Sequence, residues 1–152
     1  TALLSPSGEN VIYSVESGQG LKTYIYNIKE NKSSPFALIT MPEKCVWSKK
    51  NDTIAYCAVP NIIASGDYPD IWYQGLMSFT DSIWKFDTKT NSSELIFNIQ
   101  RETGNEIDII NPFISTDDDY LFFMNKKDLT FWSLALKRQK LNLDSYKNSK
   151  DF

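Results

Sequence analysis

The chain has 152 residues, 41% hydrophobic, 14% aromatic and 23% charged, with no histidine and a formal net charge of −3. That length carries one domain with a real core, and the aromatic load with only six glycines excludes a disordered chain. The acidic balance removes the general attraction to phosphate backbones, so no nucleic-acid partner is expected, and no apolar run approaches the roughly 20 residues that span a bilayer.

Read in order, strand signals come first. Ala2 to Ser5 is apolar and short, Pro6-Ser7-Gly8 is a turn, and Asn10 to Val15 returns. Proline supplies a fixed negative φ and glycine a free positive one. Ser17 to Gly20 turns again, Thr23 to Ile28 alternates as a third strand, Lys29 to Ser34 turns, and Phe36 to Thr40 is the expected fourth strand. Tight turns between four strands predict an antiparallel meander.

The second unit opens at Lys44. Val46 and Trp47 run into the turn-forming cluster Ser48 to Asp52, and Thr53 to Tyr56 run back out, which reads as a β-hairpin. A turn centred on Asn51 sets Cys45 opposite Cys57, close enough to bond at a non-hydrogen-bonded pair. The alternatives are a disulfide, which implies an oxidising compartment, and two buried thiols. Ser82 to Asp87 is the third strand of this unit and Glu94 to Asn98 its fourth.

The third unit has a hairpin from Asn111 to Asn125 and a third strand from Thr130 to Leu134, with Lys140 to Leu143 as the candidate fourth. Laid without a gap, the three hairpins superpose on Ser5, Ser48 and Ser115, and Ile25-Tyr26, Ile83-Trp84 and Phe131-Trp132 fall at one position. The serines lie 43 and then 67 residues apart. A period of about 40 to 45 residues with four strands per repeat is the signature of a propeller blade. The longer interval holds an insertion of 15 residues between the second and third strands of the middle unit and one of 9 after its third.

The expected organisation is all-β: three four-stranded antiparallel meander blades of a β-propeller, at 2–43, 44–108 and 109–143, with the insertion at 61–80 and a polar tail at 144–152. A propeller needs roughly four to eight blades, each buried between two neighbours. This partial propeller is therefore expected to be closed by further chain, by a second copy, as in a homodimer completing a six-bladed ring, or by another protein. Thr1 is not an initiator methionine and a strand begins at once, so the residues are expected to be a piece of something longer.

The stretch S-P-S-G-E-N-V-I-Y, with W-S-K-K-N-D-T-I-A-Y and I-S-T-D-D-D-Y-L-F-F, resembles the WD40-like blade of the TolB type, in which W-S-P-D-G precedes a β-run. S-G-D-Y-P-D-I-W-Y-Q-G-L and the last unit's Y-L-F-F-M-N-K-K-D are similar to the C-terminal half of bacterial propeller proteins that carry an N-terminal membrane anchor. That resemblance implies an extracytoplasmic location, in the periplasm or at the cell surface, and no established activity.

The insertion is the most informative stretch for function. It carries Tyr68, Trp72, Tyr73, Met77 and Phe79 among Asp67, Asp70 and Gln74. Large aromatics with polar tips give contact area at low entropic cost, which suits a partner-binding loop for a protein or glycan. The alternative is that Trp and Phe pack down on their own blade. Asp117-Asp118-Asp119 invites a calcium reading, but its alignment with two plain turns favours a solvated turn.

Without histidine there is no Ser-His-Asp or Cys-His arrangement, and G-x-S-x-G, G-x-G-x-x-G and P-loop patterns are all missing. Two cysteines alone make no standard zinc site, so neither metal nor cofactor is expected. The favoured reading is a non-enzymatic interaction module. The regulatory propeller portion of a serine peptidase whose catalytic domain lies elsewhere is the alternative, and a propeller glycosidase with carboxylates facing across a channel is a third.

Overall fold

In a computed structural model, which describes residues 1–17 and 20–137, the chain folds into three antiparallel sheets that follow one another in sequence. The first is β1 (Ala2–Leu4), β2 (Asn10–Ser17), β3 (Gly20–Asn27) and β4 (Lys32–Pro35). The second is β5 (Cys45–Trp47), β6 (Ile54–Pro60), β7 (Asp81–Asp87) and β8 (Ser92–Asn98). The third is β9 (Ile109–Ile114), β10 (Tyr120–Asn125) and β11 (Phe131–Ala135). Each is a meander in chain order, and the sheets pack face to face as blades of a partial β-propeller. The candidate fourth strand of the last blade, Lys140 to Leu143, lies outside the described residues, as does the tail.

Two apolar seams hold the blades together. Leu3, Ile12 and Ile25 of the first blade meet Trp47, Ala55, Cys57 and Phe86 of the second. Val46, Ala58 and Ile83 on the opposite face of the second meet Leu121, Phe123, Trp132 and Leu134 of the third. The period-2 alternation of each strand thus serves two neighbours, which is why these strands carry apolar residues on both faces.

The fourth strand of the first blade is Lys32–Pro35, not Phe36 to Thr40. Tyr24 pairs with Pro35 and Tyr26 with Ser33, so the polar residues take the outer edge. The apolar alternation of Phe36, Leu38 and Thr40 is used instead by the connector, whose three side chains are buried in or beside the first seam. Asn31 (φ 50°) and Asn91 (φ 52°) close equivalent turns before β4 and β8 in the left-handed conformation, which asparagine tolerates better than other side-chain-bearing residues.

Register refines the repeat. Ser5, Ser48 and Ser115 each receive backbone closure of the hairpin, from N–H to the carbonyl of Asn10, Ile54 and Tyr120 respectively. The middle turn therefore holds one residue more, and the gapless superposition slips by one after it. Cross-strand pairs then make Tyr24, Trp84 and Trp132 equivalent, opposite Tyr13, Cys57 and Phe123, in place of the Tyr26 correspondence. Cys45 does stand opposite Cys57, with Cα atoms 4.1 Å apart and a disulfide between them.

Candidate functional site

The insertion leaves β6 at Pro60 and returns at Asp81. It rises from the rim where the chain passes between blades, because the connectors end at Lys44 and Asp108 beside it. Asn61 N–H donates to Thr80 O at 2.9 Å and closes its neck. Within it, the Tyr68–Pro69 bond is cis, and α1 (Asp70–Tyr73) is a single helical turn.

Its underside is fixed by a cluster that sequence reading missed. Lys44, preceded by Pro42 and Glu43 in a 3-10 turn, is fully buried. Its Nζ donates to Asp81 Oδ2 and Asp108 Oδ1, both at 2.6 Å, and to Ile109 O at 3.0 Å. Trp72 Nε1 donates to Asp108 at 3.0 Å and Phe79 N–H does so at 3.0 Å. The ammonium also lies 5.0 Å from the Trp72 ring centroid and 5.2 Å from that of Phe79, within cation–π range. Ile109 N–H donates to Asp81 Oδ2 at 2.7 Å. The cluster joins the second blade, the third blade and the insertion in one polar knot.

Burial pushes the Asp81 carboxyl above the usual carboxylate range, against the opposing pull of Lys44 and the Ile109 N–H. One cation among two carboxylates leaves the knot with surplus negative charge, and desolvation penalises that surplus. All three side chains are sealed from solvent. The chemistry available to them is structural clamping, not turnover of a substrate.

The eight residues expected in a partner-binding loop divide by depth. Tyr68, Trp72 and Phe79 are buried and form a small core with Leu21 and Met41. Tyr68 OH donates to Ala64 O at 2.7 Å, and its ring stacks on Phe79 with centroids 5.8 Å apart. Met77 is half-buried against the same core. Asp67, Asp70, Tyr73 and Gln74 are exposed. Tyr73 OH donates to Glu43 Oε1 at 2.5 Å; partial burial first, then this bond, push its phenol up to about 12.

The surface also displays residues the reading did not single out. Ile62 and Leu76 are 81% and 74% exposed. A cleft of about 360 Å³ runs along the insertion, lined by Asn61, Ile62, Met77, Gln100 and Glu106 among others. Gln100 belongs to α2 (Ile99–Thr103), in the connector from the second blade to the third. Nothing in the sequence distinguishes Ile62 and Leu76 from core residues, since an apolar residue in a loop reads as an inward anchor.

The acidic run is engaged at the opposite rim. Asp117 accepts from the Ser115 hydroxyl at 2.6 Å, and that bond together with the Asp119 N–H holds its carboxyl down at about 2. Asp118 accepts from the Ser48 hydroxyl and, at 2.9 Å, from Lys49 N–H, tying the third blade's turn to the second's. Asp119 pairs with Lys137. Among the described residues no group of three or more His, Cys, Asp or Glu is placed to hold a metal ion, and no helix is long and apolar enough to cross a membrane.

No protein-family model matches the chain, and no curated protein matches it. Solved structures do. Hydrazine synthase of Kuenenia stuttgartiensis is similar over 88% of this chain and 38% of its own, with TM-score 0.57 and 10% identity. TolB of Acinetobacter baumannii is similar over 88% and 31%, with TM-score 0.49 and 7% identity. The β-propeller domain of Myceliophteria thermophila Cps50 (Swd1) is similar over 93% and 55%, with TM-score 0.40 and 9% identity. The chain thus spans about a third of the length of the first two. At such identities the likeness concerns fold alone; the three meander sheets packed one on the next in chain order are themselves the architecture of a β-propeller, here in three blades.

Proposed function

We propose that this chain is a non-enzymatic interaction module that holds a protein or glycan partner through the rim bearing the insertion. The observation that carries the reading is the contrast within residues 61–80. Tyr68, Trp72 and Phe79 are fixed on a buried, hydrogen-bonded base, while Ile62, Tyr73 and Leu76 stand in solvent. Ordering the loop beforehand reduces the entropy lost on binding, and the exposed Ile62, in a cleft it lines with Gln100 and Glu106, gives both contact area and polar direction.

The Cys45–Cys57 disulfide supports an extracytoplasmic location, in a bacterial envelope or at a cell surface. On this reading the module is anchored through a segment outside these residues. The test is binding to an immobilised glycan panel and to solubilised envelope proteins, with Ile62→Ser/Leu76→Ser beside the parent chain. Loss of the captured ligand with an unchanged near-UV circular dichroism spectrum is expected. Undiminished capture by the double variant would remove the insertion from the binding surface.

A further inference from the structure

Cross-strand register assigns every blade two faces of different kind. One face turns to the following blade and holds the pairs Leu3/Ile12, Val46/Tyr56 and Phe113/Phe122 at equivalent positions. The other turns to the preceding blade and holds Leu4/Val11, Trp47/Ala55 and Ile114/Leu121, with Tyr13/Tyr24, Cys57/Trp84 and Phe123/Trp132 beside them. Both internal seams are made in the same way, a following face of one blade against a preceding face of the next. No seam pairs two faces of one kind.

Among the described residues two faces have no blade packed on them, and they are one of each kind. On the third blade, Phe113 and Phe122 stack at 5.0 Å between ring centroids, with Phe131 at 5.9 Å and Tyr120 at 6.1 Å from Phe122. Phe131, Phe113 and Tyr120 are 60%, 48% and 47% exposed. On the first blade, the half-buried Tyr13 and Tyr24 stack at 5.5 Å at the positions that Cys57/Trp84 and Phe123/Trp132 hold in the seams of the other blades, and Leu4 is 55% exposed. A contiguous stacked aromatic patch on water is the mark of a covered surface. The surface of this molecule that has the form the third blade's neighbours require is its own first blade.

We propose that two copies of this chain associate head to tail, the Phe113–Phe122–Phe131 face of each closing on the Tyr13–Tyr24 face of the other to make a six-bladed ring. A two-fold axis satisfies both open faces of both copies at once, and six blades fall within the range in which propellers close. Because the seam joins unlike faces, it differs in kind from a dimer built by burying one aromatic patch on its twin.

The experiment is light scattering and sedimentation velocity on the purified chain at micromolar concentration. Twice the chain mass is expected. Phe122→Glu, on the third blade, and Tyr24→Glu, on the first, should each give the single-chain mass. An equimolar mixture of the two should recover the doubled mass, because one seam of the mixed pair keeps both native faces. If circular dichroism shows either variant unfolded, Phe131→Ser and Leu4→Ser, at more exposed positions of the same two faces, replace them. A single-chain mass for the parent protein overturns the proposal and assigns the faces to another occupant. A doubled mass that survives Tyr24→Glu, or a mixture that stays monomeric, overturns the head-to-tail pairing.

Discussion

Lys44 Nζ and Asp108 Oδ1 lie 2.6 Å apart across the seam between the second and third blades, 64 residues distant in sequence. Neither side chain reaches solvent. A buried pair of this kind adds little net stability over an apolar replacement of both partners, because desolvation offsets the attraction. Its weight is in what happens when one partner goes. Lys44→Met strands Asp81 and Asp108 without a cation, and a loss of about 3–5 kcal/mol in chemical denaturation is expected.

That loss has a pH signature. The folded-state carboxyl of Asp81 is raised, so its contribution is fully present below the ordinary carboxylate pKa and declines as pH rises through the raised value. Without Lys44 the Asp81 carboxyl loses the cation that opposes its burial and is held more firmly in the neutral form, and the deficit of Lys44→Met should shrink as pH falls toward 4. Parallel denaturation curves at pH 4.5 and 7.5 decide it; a deficit that is constant or larger at the acid end contradicts this account.

The Cys45–Cys57 bridge closes a loop with a sequence separation of 12. In the chain-entropy account such a crosslink stabilises by about 3 kcal/mol by restricting the unfolded chain. Reduction, or Cys45→Ala/Cys57→Ala, should lower the denaturation midpoint accordingly while leaving the blade in place, since Trp47, Ala55 and Phe86 still fill the seam. Mass after alkylation under denaturing conditions, with and without reductant, verifies the bond first; equal masses would mean the thiols are free.

How much of this was legible follows from what sequence periodicity encodes. The hairpin of Cys45 and Cys57 was readable, because turn residues and alternation fix a register within one hairpin. The fourth strand of the first blade was not. Lys32-Ser33-Ser34-Pro35 has no apolar signal because it is an outer edge, whereas Phe36 and Leu38 alternate like a strand while filling a seam. The knot was invisible for a related reason. Lysine and aspartate are read as solvated, and Lys44, Asp81 and Asp108 come together only once three connectors share a rim. Aromatic content marked the insertion, but it could not say that Trp72 and Phe79 point inward while Ile62 and Leu76 point out.

Trp72 links that knot to the loop surface. Its indole N–H donates to the Asp108 carboxylate, and hydrogen bonds to charged groups carry about 1.5–3 kcal/mol. Trp72→Phe keeps an aromatic ring in the site and deletes the donor. The expected result is a stability loss of about 2 kcal/mol together with faster proteolytic cleavage within 61–80 than in the blades. Cleavage that speeds up uniformly along the chain would show that the tryptophan supports the global fold rather than the loop.

The repeated serine yields the last test. Ser5 Oγ accepts from Asn10 N–H at 3.0 Å, Ser48 Oγ from Asn51 N–H at 2.9 Å, and Ser115 Oγ from Tyr120 N–H at 3.0 Å. Each satisfies a turn amide that the ladder leaves free, which explains why the residue type recurs while Pro and Gly of the first turn do not. Ser48 alone among them also donates to Asp118 of the next blade. Ser5→Ala should therefore cost about 1 kcal/mol, as loss of a local cap does. Ser48→Ala should cost about 1 kcal/mol more, for a charge-assisted bond lost across the seam. In the Asp118→Asn background that extra cost should largely vanish, because the charged acceptor is gone. A double-mutant cycle with no coupling between Ser48 and Asp118 would show that the contact orders the turn without joining the blades.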